Sequence, residues 1–194
     1  MAGRLPLLFT TEGRKALVVG GGSVGCRRAR TLAEAGCALT LVTADLPVEA
    51  VAGATLCLSN YGQECLEGMA LVVAATDDAG VNAQIVSDCK ARGILVNCVD
   101  NPGASDFIFP SVGRRGDLTL SVCTEGASPT LTKAIVSELR MRYDESYALR
   151  LTYLKKLRQR TLASSLDKDE KQARLRTQAA MSVDELQKEW EKEQ

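Results

Sequence analysis

The stretch Ala16-Leu-Val-Val-Gly-Gly-Gly-Ser-Val-Gly-Cys-Arg-Arg-Ala29 reads as a buried strand, a glycine turn and the start of a helix. Gly20, Gly22 and Gly25 fit G-x-G-x-x-G, the dinucleotide-binding fingerprint. In that pattern Gly20 allows the tight turn out of the strand. Gly22 lets backbone approach a pyrophosphate, and Gly25 lets helix and strand pack closely. The first N–H groups of the helix, at Ser23 and Val24, would face the phosphates, aided by the helix dipole. The alternative is a glycine-rich turn in an α/β protein without a cofactor.

Around this stretch, strands and helices alternate. Leu17–Val19, Ala38–Thr43, Ala54–Ser59, Leu71–Thr76 and Ile94–Val99 read as strands, and Ser23–Ala35 and Ala79–Arg92 as helices. The apolar runs are continuous, as in a sheet covered on both faces. The rhythm predicts an α/β, Rossmann-like, doubly wound parallel sheet. It then changes. Asp106–Val112 and Leu118–Cys123 flank Gly113–Asp117 as a hairpin, and Ser128-Pro129 opens a helix with Leu131, Ile135, Val136 and Leu139 at helical spacing. These two strands and one helix are expected to extend the sheet or to form a dimer interface. From Asp144 the chain is helical and charged, with a narrow apolar stripe at Tyr147, Leu151, Leu154 and Leu157. A capping box at Ser182–Glu185 starts a last helix. The expected organisation is a nucleotide-binding domain over 1–112, a small α+β dimerisation region over 113–145 and a helical region over 146–194.

Composition narrows the chemistry. Lys+Arg and Asp+Glu are equal at 24 each, which gives no sign of a nucleic-acid partner. Residues 1–110 hold 8 basic and 11 acidic side chains, and residues 111–194 hold 16 and 13. The absence of histidine excludes a Ser-His-Asp triad, a histidine base and histidine metal ligands. Seven cysteines without a C-x-x-C pair read as reduced thiols of a cytoplasmic protein. No metal site is expected, no leader is recognised, and no run approaches the ~20 apolar residues of a membrane span. The basic run Lys155–Arg160 is either a solvated helix face or a site for an acidic ligand.

In a doubly wound sheet, ligands sit at the carboxyl ends of the strands. Ala44 and Asp45 follow the second strand. Asp45 could accept hydrogen bonds from a ribose, and no arginine follows directly to hold a 2′-phosphate, which favours NAD over NADP. Thr76 would line the cofactor cleft, while Asp77 and Asp78 either reach the ligand or cap the next helix. Asn97, Ser105 and Asp106 fall in the same zone. Asp100 ends an apolar strand and is the candidate base. Partial burial would raise its pKa toward the useful range. A turn-forming role in Asp100-Asn-Pro-Gly103 is the alternative.

Five of these segments carry a family likeness. Val18–Ala29, Ala74–Asp78 with Val81-Asn82, Asn97–Asp100, Phe107–Ser111 and Gly126–Pro129 resemble, in order and spacing over residues 4–143, the dehydrogenase module of siroheme synthase. The resemblance is to the precorrin-2 dehydrogenase and sirohydrochlorin ferrochelatase family, without its fused methyltransferase half. It implies NAD-dependent oxidation of precorrin-2 to sirohydrochlorin, with possible ferrochelation in which ferrous ion is a substrate. It also implies a homodimer whose active site lies between the cofactor domain and the dimerisation region. Asp100 matches the family's catalytic aspartate, and Ser23, Val24, Ala44 and Asp45 match its cofactor contacts. At Gly25 some members have alanine, which should also fit. Cys123 and Thr124 stand where a fused bacterial member has serines. The substrate's carboxylates need basic partners. Arg114, Arg115 and Lys133 are the candidates, with ordinary surface charge as the alternative for each. Two other functions stay open: an NAD-dependent oxidoreductase of another small metabolite, and a nucleotide-sensing regulatory module such as the cytosolic ligand-binding domain of a potassium channel.

Overall fold

In the computed structural model, which describes residues 3–192, five parallel strands form one sheet in the order β3-β2-β1-β4-β5. They are β1 (Lys15–Val19), β2 (Ala38–Thr43), β3 (Ala54–Leu58), β4 (Leu71–Ala74) and β5 (Leu95–Cys98). The central strand β1 pairs with β2 and β4 and is buried from Ala16 to Val19. Its unbroken apolar run is what a strand covered on both faces requires. Helix α1 (Ser23–Glu34) buries Gly25, Cys26, Ala29 and Leu32 along one face, and Gly36, at φ +82°, turns the chain into β2. Helix α2 (Ala79–Ala91) is capped by Asp78, whose Oδ1 accepts from the N–H groups of Gly80 (2.7 Å) and Val81 (3.1 Å). Its buried face holds Ile85, Val86 and Cys89, and with them two polar residues, Asn82 and Asp88. Asp88 is satisfied by Tyr61 Oη (2.9 Å), Gln63 Nε2 (2.9 Å) and Gln84 Nε2 (2.8 Å). Burial and the Asp88 carboxylate hold the Tyr61 phenol well above its ordinary range.

The chain divides into two compact units, Met1–Ile108 and Phe109–Gln194. The second unit carries its own two-stranded antiparallel sheet, β6 (Ser111–Arg115) with β7 (Leu118–Val122). The large sheet is therefore not extended, contrary to one sequence expectation. The hairpin also starts later than expected. Arg114 and Arg115 lie in β6, and the loop is only Gly116-Asp117, because Gly116 at φ +53° supplies the left-handed residue that a two-residue turn needs. Helix α3 (Pro129–Arg142) has Ser128 as N-cap and Pro129 at its first position. Helices α4 (Ser146–Ala163), α5 (Lys168–Ala180) and α6 (Val183–Glu191) follow, the last two opened by capping boxes at Asp167/Glu170 and Ser182/Glu185. The stripe of α4 is not loose at its C-terminal end: Leu157 is fully buried, as is Leu186 of α6. Three basic residues of the run are engaged within the unit, Lys156 by its ammonium 5.4 Å from the Trp190 ring centroid. Lys155 pairs with Asp117 at 3.2 Å, and the Arg160 guanidinium lies 3.9 Å from the Trp190 ring centroid. No described helix is long and apolar enough to cross a membrane.

Candidate active site

The strand order reverses beside β1, so the loops leaving β1 and β4 meet at the crevice where such sheets bind ligands. Gly20 leaves β1 at φ +113°, and a β-carbon on it would stand 2.2 Å from the carbonyl oxygen of Ala75. Gly25 is as tightly placed, since its β-carbon would stand 2.0 Å from the carbonyl oxygen of Gly20. The expectation that alanine also fits at position 25 is thus corrected, because the clash is with backbone. Gly22 differs from both. It has φ −71°, and a β-carbon there would meet nothing within 4 Å. The protein's own packing does not demand a glycine there. The open space lies in front of the α1 N-terminus, where Gly22 is the N-cap without a side chain and the first turn holds no acid. The N–H groups of exposed Ser23 and half-buried Val24 begin the helix at this space. This cradle fits the phosphates of a dinucleotide.

The segment after β2 folds back over the same loop. Val48 N–H donates to the Gly21 carbonyl (2.9 Å), the buried Cys26 thiol donates to it as well (3.2 Å), and Arg30 pairs with Glu49 (2.5 Å). Ala44 and Asp45 are exposed at the end of β2.

Across the crevice, Asp100 is part of a chain of hydrogen bonds. Asn82 Nδ2 donates to Asp100 Oδ2 (2.8 Å), and Cys98 Sγ donates to Asp100 Oδ1 (2.9 Å). Asn82 Oδ1 accepts from the Thr76 N–H (3.1 Å) and the Thr76 hydroxyl (2.8 Å). Asp100 is exposed, and the donations from Cys98 and Asn82 hold its carboxyl below the usual carboxylate range. The expected upward shift is therefore corrected: two donors on the ionised form outweigh a small desolvation. Conversely, burial and the neighbouring carboxylate push the Cys98 thiol up, which keeps it a donor. The turn role falls to Asn101, the N-cap of the Pro102–Ala104 turn, whose Oδ1 accepts from Ala104 N–H (3.3 Å).

The other candidates of this zone are structural. Asp78 caps α2, and Asp77 is exposed without a capping role. Ser105 Oγ accepts from Cys98 N–H (2.8 Å), Asp106 Oδ2 accepts from Val96 N–H (3.0 Å), and Asn97 Nδ2 donates to Phe107 O (2.9 Å). Together they lash residues 105–107 along β5. Beside Asp100 lies a cavity of 380 Å³ lined by Ala79, Ala83, Val86, Cys98, Asn101 and Ala104. A larger cavity of 510 Å³, between Gln63–Met69 and Arg92–Ile94, lies toward the opposite strand ends and holds none of these groups.

In the second unit, Arg114 on β6 and Lys133 on α3 are exposed. Arg115 is half-buried, donating from Nη1 to the Arg114 carbonyl (2.8 Å) with Nε 3.1 Å from Glu145. Among the described residues, no group of three or more His, Cys, Asp or Glu side chains could hold a metal ion. Sequence reading missed the roles of Asn82 and Cys98. The signal for Asn82 was present: it lies three and four residues before Ile85 and Val86, on the apolar face of α2, where an amide must have partners.

Residues 7–111 match the family model described as "Putative NAD(P)-binding". The siroheme synthase of Ectopseudomonas mendocina is 38% identical over 159 residues, covering 80% of this chain and 34% of that protein. The siroheme synthase of Pseudomonas paraeruginosa is 39% identical over 148 residues, covering 74% and 32%. The chain thus spans about a third of the length of these curated relatives. A solved structure, SirC, precorrin-2 dehydrogenase, superposes with a TM-score of 0.75 at 28% identity, covering 97% of this chain and 100% of that one.

Proposed function

The chain belongs to this NAD(P)-binding family, in the branch that forms the dehydrogenase module of siroheme synthase, and on that premise we propose that it oxidises precorrin-2 to sirohydrochlorin with NAD as hydride acceptor. The observation that carries the reading is the placing of an ionised carboxylate, Asp100, one amide away from Thr76 on the wall of the nucleotide crevice.

Two hydrogens leave the macrocycle, one as hydride and one as a proton. A bound nicotinamide supplies the hydride acceptor. Gly22, with the N–H groups of Ser23 and Val24, would hold the pyrophosphate. Ala44 and Asp45 would face the adenosine, and Thr76 would line the wall with Gly20 and Gly25 shaping the loop beneath. Asp100 would stabilise the positive charge left on the macrocycle by hydride departure and take the proton from a neighbouring atom. A cationic macrocycle is a strong acid, so a carboxylate of lowered pKa suffices as acceptor. A histidine-free chain is then no obstacle.

NAD is preferred to NADP because the turn after β2 presents Asp45 and no cation of its own, and Arg30, on α1, is spent on Glu49. Exposed Arg114 and Lys133, with Arg115, are proposed to meet substrate carboxylates. The proposed assembly is a cytoplasmic homodimer formed through residues 113–145, where Leu131 and Met141 remain exposed at 53% and 73%. Ferrochelation, with ferrous ion as substrate, would use Asp100 to receive pyrrole protons.

Anaerobic turnover of precorrin-2 with NAD tests the reading. Stoichiometric NADH and sirohydrochlorin are expected, and metal insertion after adding ferrous ion should exceed that in a protein-free control. Cofactor binding without NADH formation would turn the reading toward a nucleotide-sensing module or another substrate.

A further inference from the structure

We infer that Asn82 and Cys98 are positioning residues that clamp Asp100 as an oriented anion at a fixed distance from the nucleotide crevice. The inference rests on the reading of Asp100 as the reaction's carboxylate.

The geometry leaves the Asn82 amide no freedom. Its side chain is fully buried in α2. The Thr76 N–H can only donate, so the atom facing it at 3.1 Å must be the amide oxygen. The amide NH₂ is thereby turned toward the Thr76 carbonyl (3.0 Å) and Asp100 Oδ2 (2.8 Å). Every polar atom of the side chain is used, and Thr76 dictates which end Asp100 sees.

Cys98 completes the clamp from the sheet side. Cys98 is 3% exposed as a residue, and its thiol has Asp100 Oδ1 at 2.9 Å. Each carboxylate oxygen thus receives one donor, from α2 and from β5. Two donors on two oxygens fix the carboxylate plane. Both donors are better matched to the ionised carboxylate than to the protonated acid, so the clamp favours the anion. Because the same amide grips the loop after β4, a shift of Asp100 relative to the crevice requires breaking either its bond to Asn82 or Asn82's bonds to Thr76.

The test compares Asn82→Ala, Cys98→Val and Cys98→Ser with wild type, each also in an Asp100→Asn background. The first readout is titration of the Asp100 carboxyl in the cofactor-free protein by carbon NMR, with Asp100→Asn identifying the signal. In wild type the carboxyl should titrate below the ordinary aspartate range near ~3.9. Asn82→Ala and Cys98→Val should each move it upward, and Cys98→Ser should restore it. The second readout is turnover. Asn82→Ala should lower kcat on the order of 10- to 100-fold through lost alignment, and should cost less than about twofold more once Asp100 is asparagine.

An unmoved titration in folded Asn82→Ala and Cys98→Val overturns the proposal, as does a full Asn82→Ala loss persisting in the Asp100→Asn background. If Asn82→Ala does not fold, the Cys98 pair decides by the same readouts. If Asp100→Asn turns over like wild type, the functional reading of Asp100 fails, and the titration still decides whether the clamp exists.

Discussion

A β-carbon on Gly25 would stand 2.0 Å from the carbonyl oxygen of Gly20, so helix α1 and the exit of β1 are in backbone contact. No side-chain rearrangement can relieve that approach. Gly25→Ala should destabilise the first unit by about 1–3 kcal/mol, the range for overpacking a tight site. Urea unfolding would measure it, and a loss under about 0.5 kcal/mol would mean that the loop yields more readily than its contacts indicate.

The pH dependence of turnover follows from Asp100. Its folded-state pKa is depressed by Cys98 and Asn82, so the group stays ionised above that value and is neutralised only as pH falls through it. The matching stability contribution has the same sign: present above the unfolded pKa and lost as pH falls through the folded one. The acid limb of kcat should therefore lie below the ordinary carboxylate range. An acid limb near pH 6 would assign the proton transfer to another group.

Asp100→Asn keeps the shape of the side chain and removes its charge. Turnover should fall by about 10²–10⁴-fold, the scale of a general acid–base contribution. The NAD dissociation constant, measured by calorimetry, should change by less than about twofold, because Asp100 lies outside the glycine loop.

Cofactor choice can be moved at the end of β2. Ala44→Arg would put a cation where none follows that strand, and should lower the ratio of NADP to NAD dissociation constants by about tenfold or more. An unchanged ratio would place the adenosine away from Ala44.

In the second unit, Gln178 is 2% exposed, and neither Nε2 nor Oε1 has a hydrogen-bond partner among the described residues. Burying an amide without hydrogen bonds is costly. Gln178→Met, close in volume, should raise stability by about 1–3 kcal/mol in thermal unfolding. A destabilised variant would mean that the amide has partners after all.

The parts of this protein that sequence made legible are those set by short-range rules. The strand–glycine–helix entry from Ala16, the apolar β4 and the Ser128-Pro129 helix start each announce themselves within a few residues. The Asp100 pKa did not, because one partner, Asn82 on α2, lies 18 residues away, and the other, Cys98 at the end of β5, is a thiol whose donation only the folded turn reveals. The hairpin was misplaced because Phe107–Phe109 is as apolar as a strand. Instead, residues 105–107 are tied alongside β5 by three side-chain bonds and a single backbone bond from Asp106 N–H to the Val96 carbonyl, not by a strand ladder. Cys98 reads from sequence only as one more reduced thiol, because local composition reveals burial and not partnership.

The three fingerprint glycines divide into two kinds of constraint. Those at 20 and 25 answer to the fold, since each would collide with backbone, whereas the one at 22 has ordinary torsions and empty surroundings. A library selected only for folded protein should fill position 22 freely and leave 20 and 25 untouched. In a descendant that had stopped using a dinucleotide, the motif would decay at its middle letter first. A side chain at 22 in an otherwise intact relative is thus a mark of lost ligand rather than lost structure.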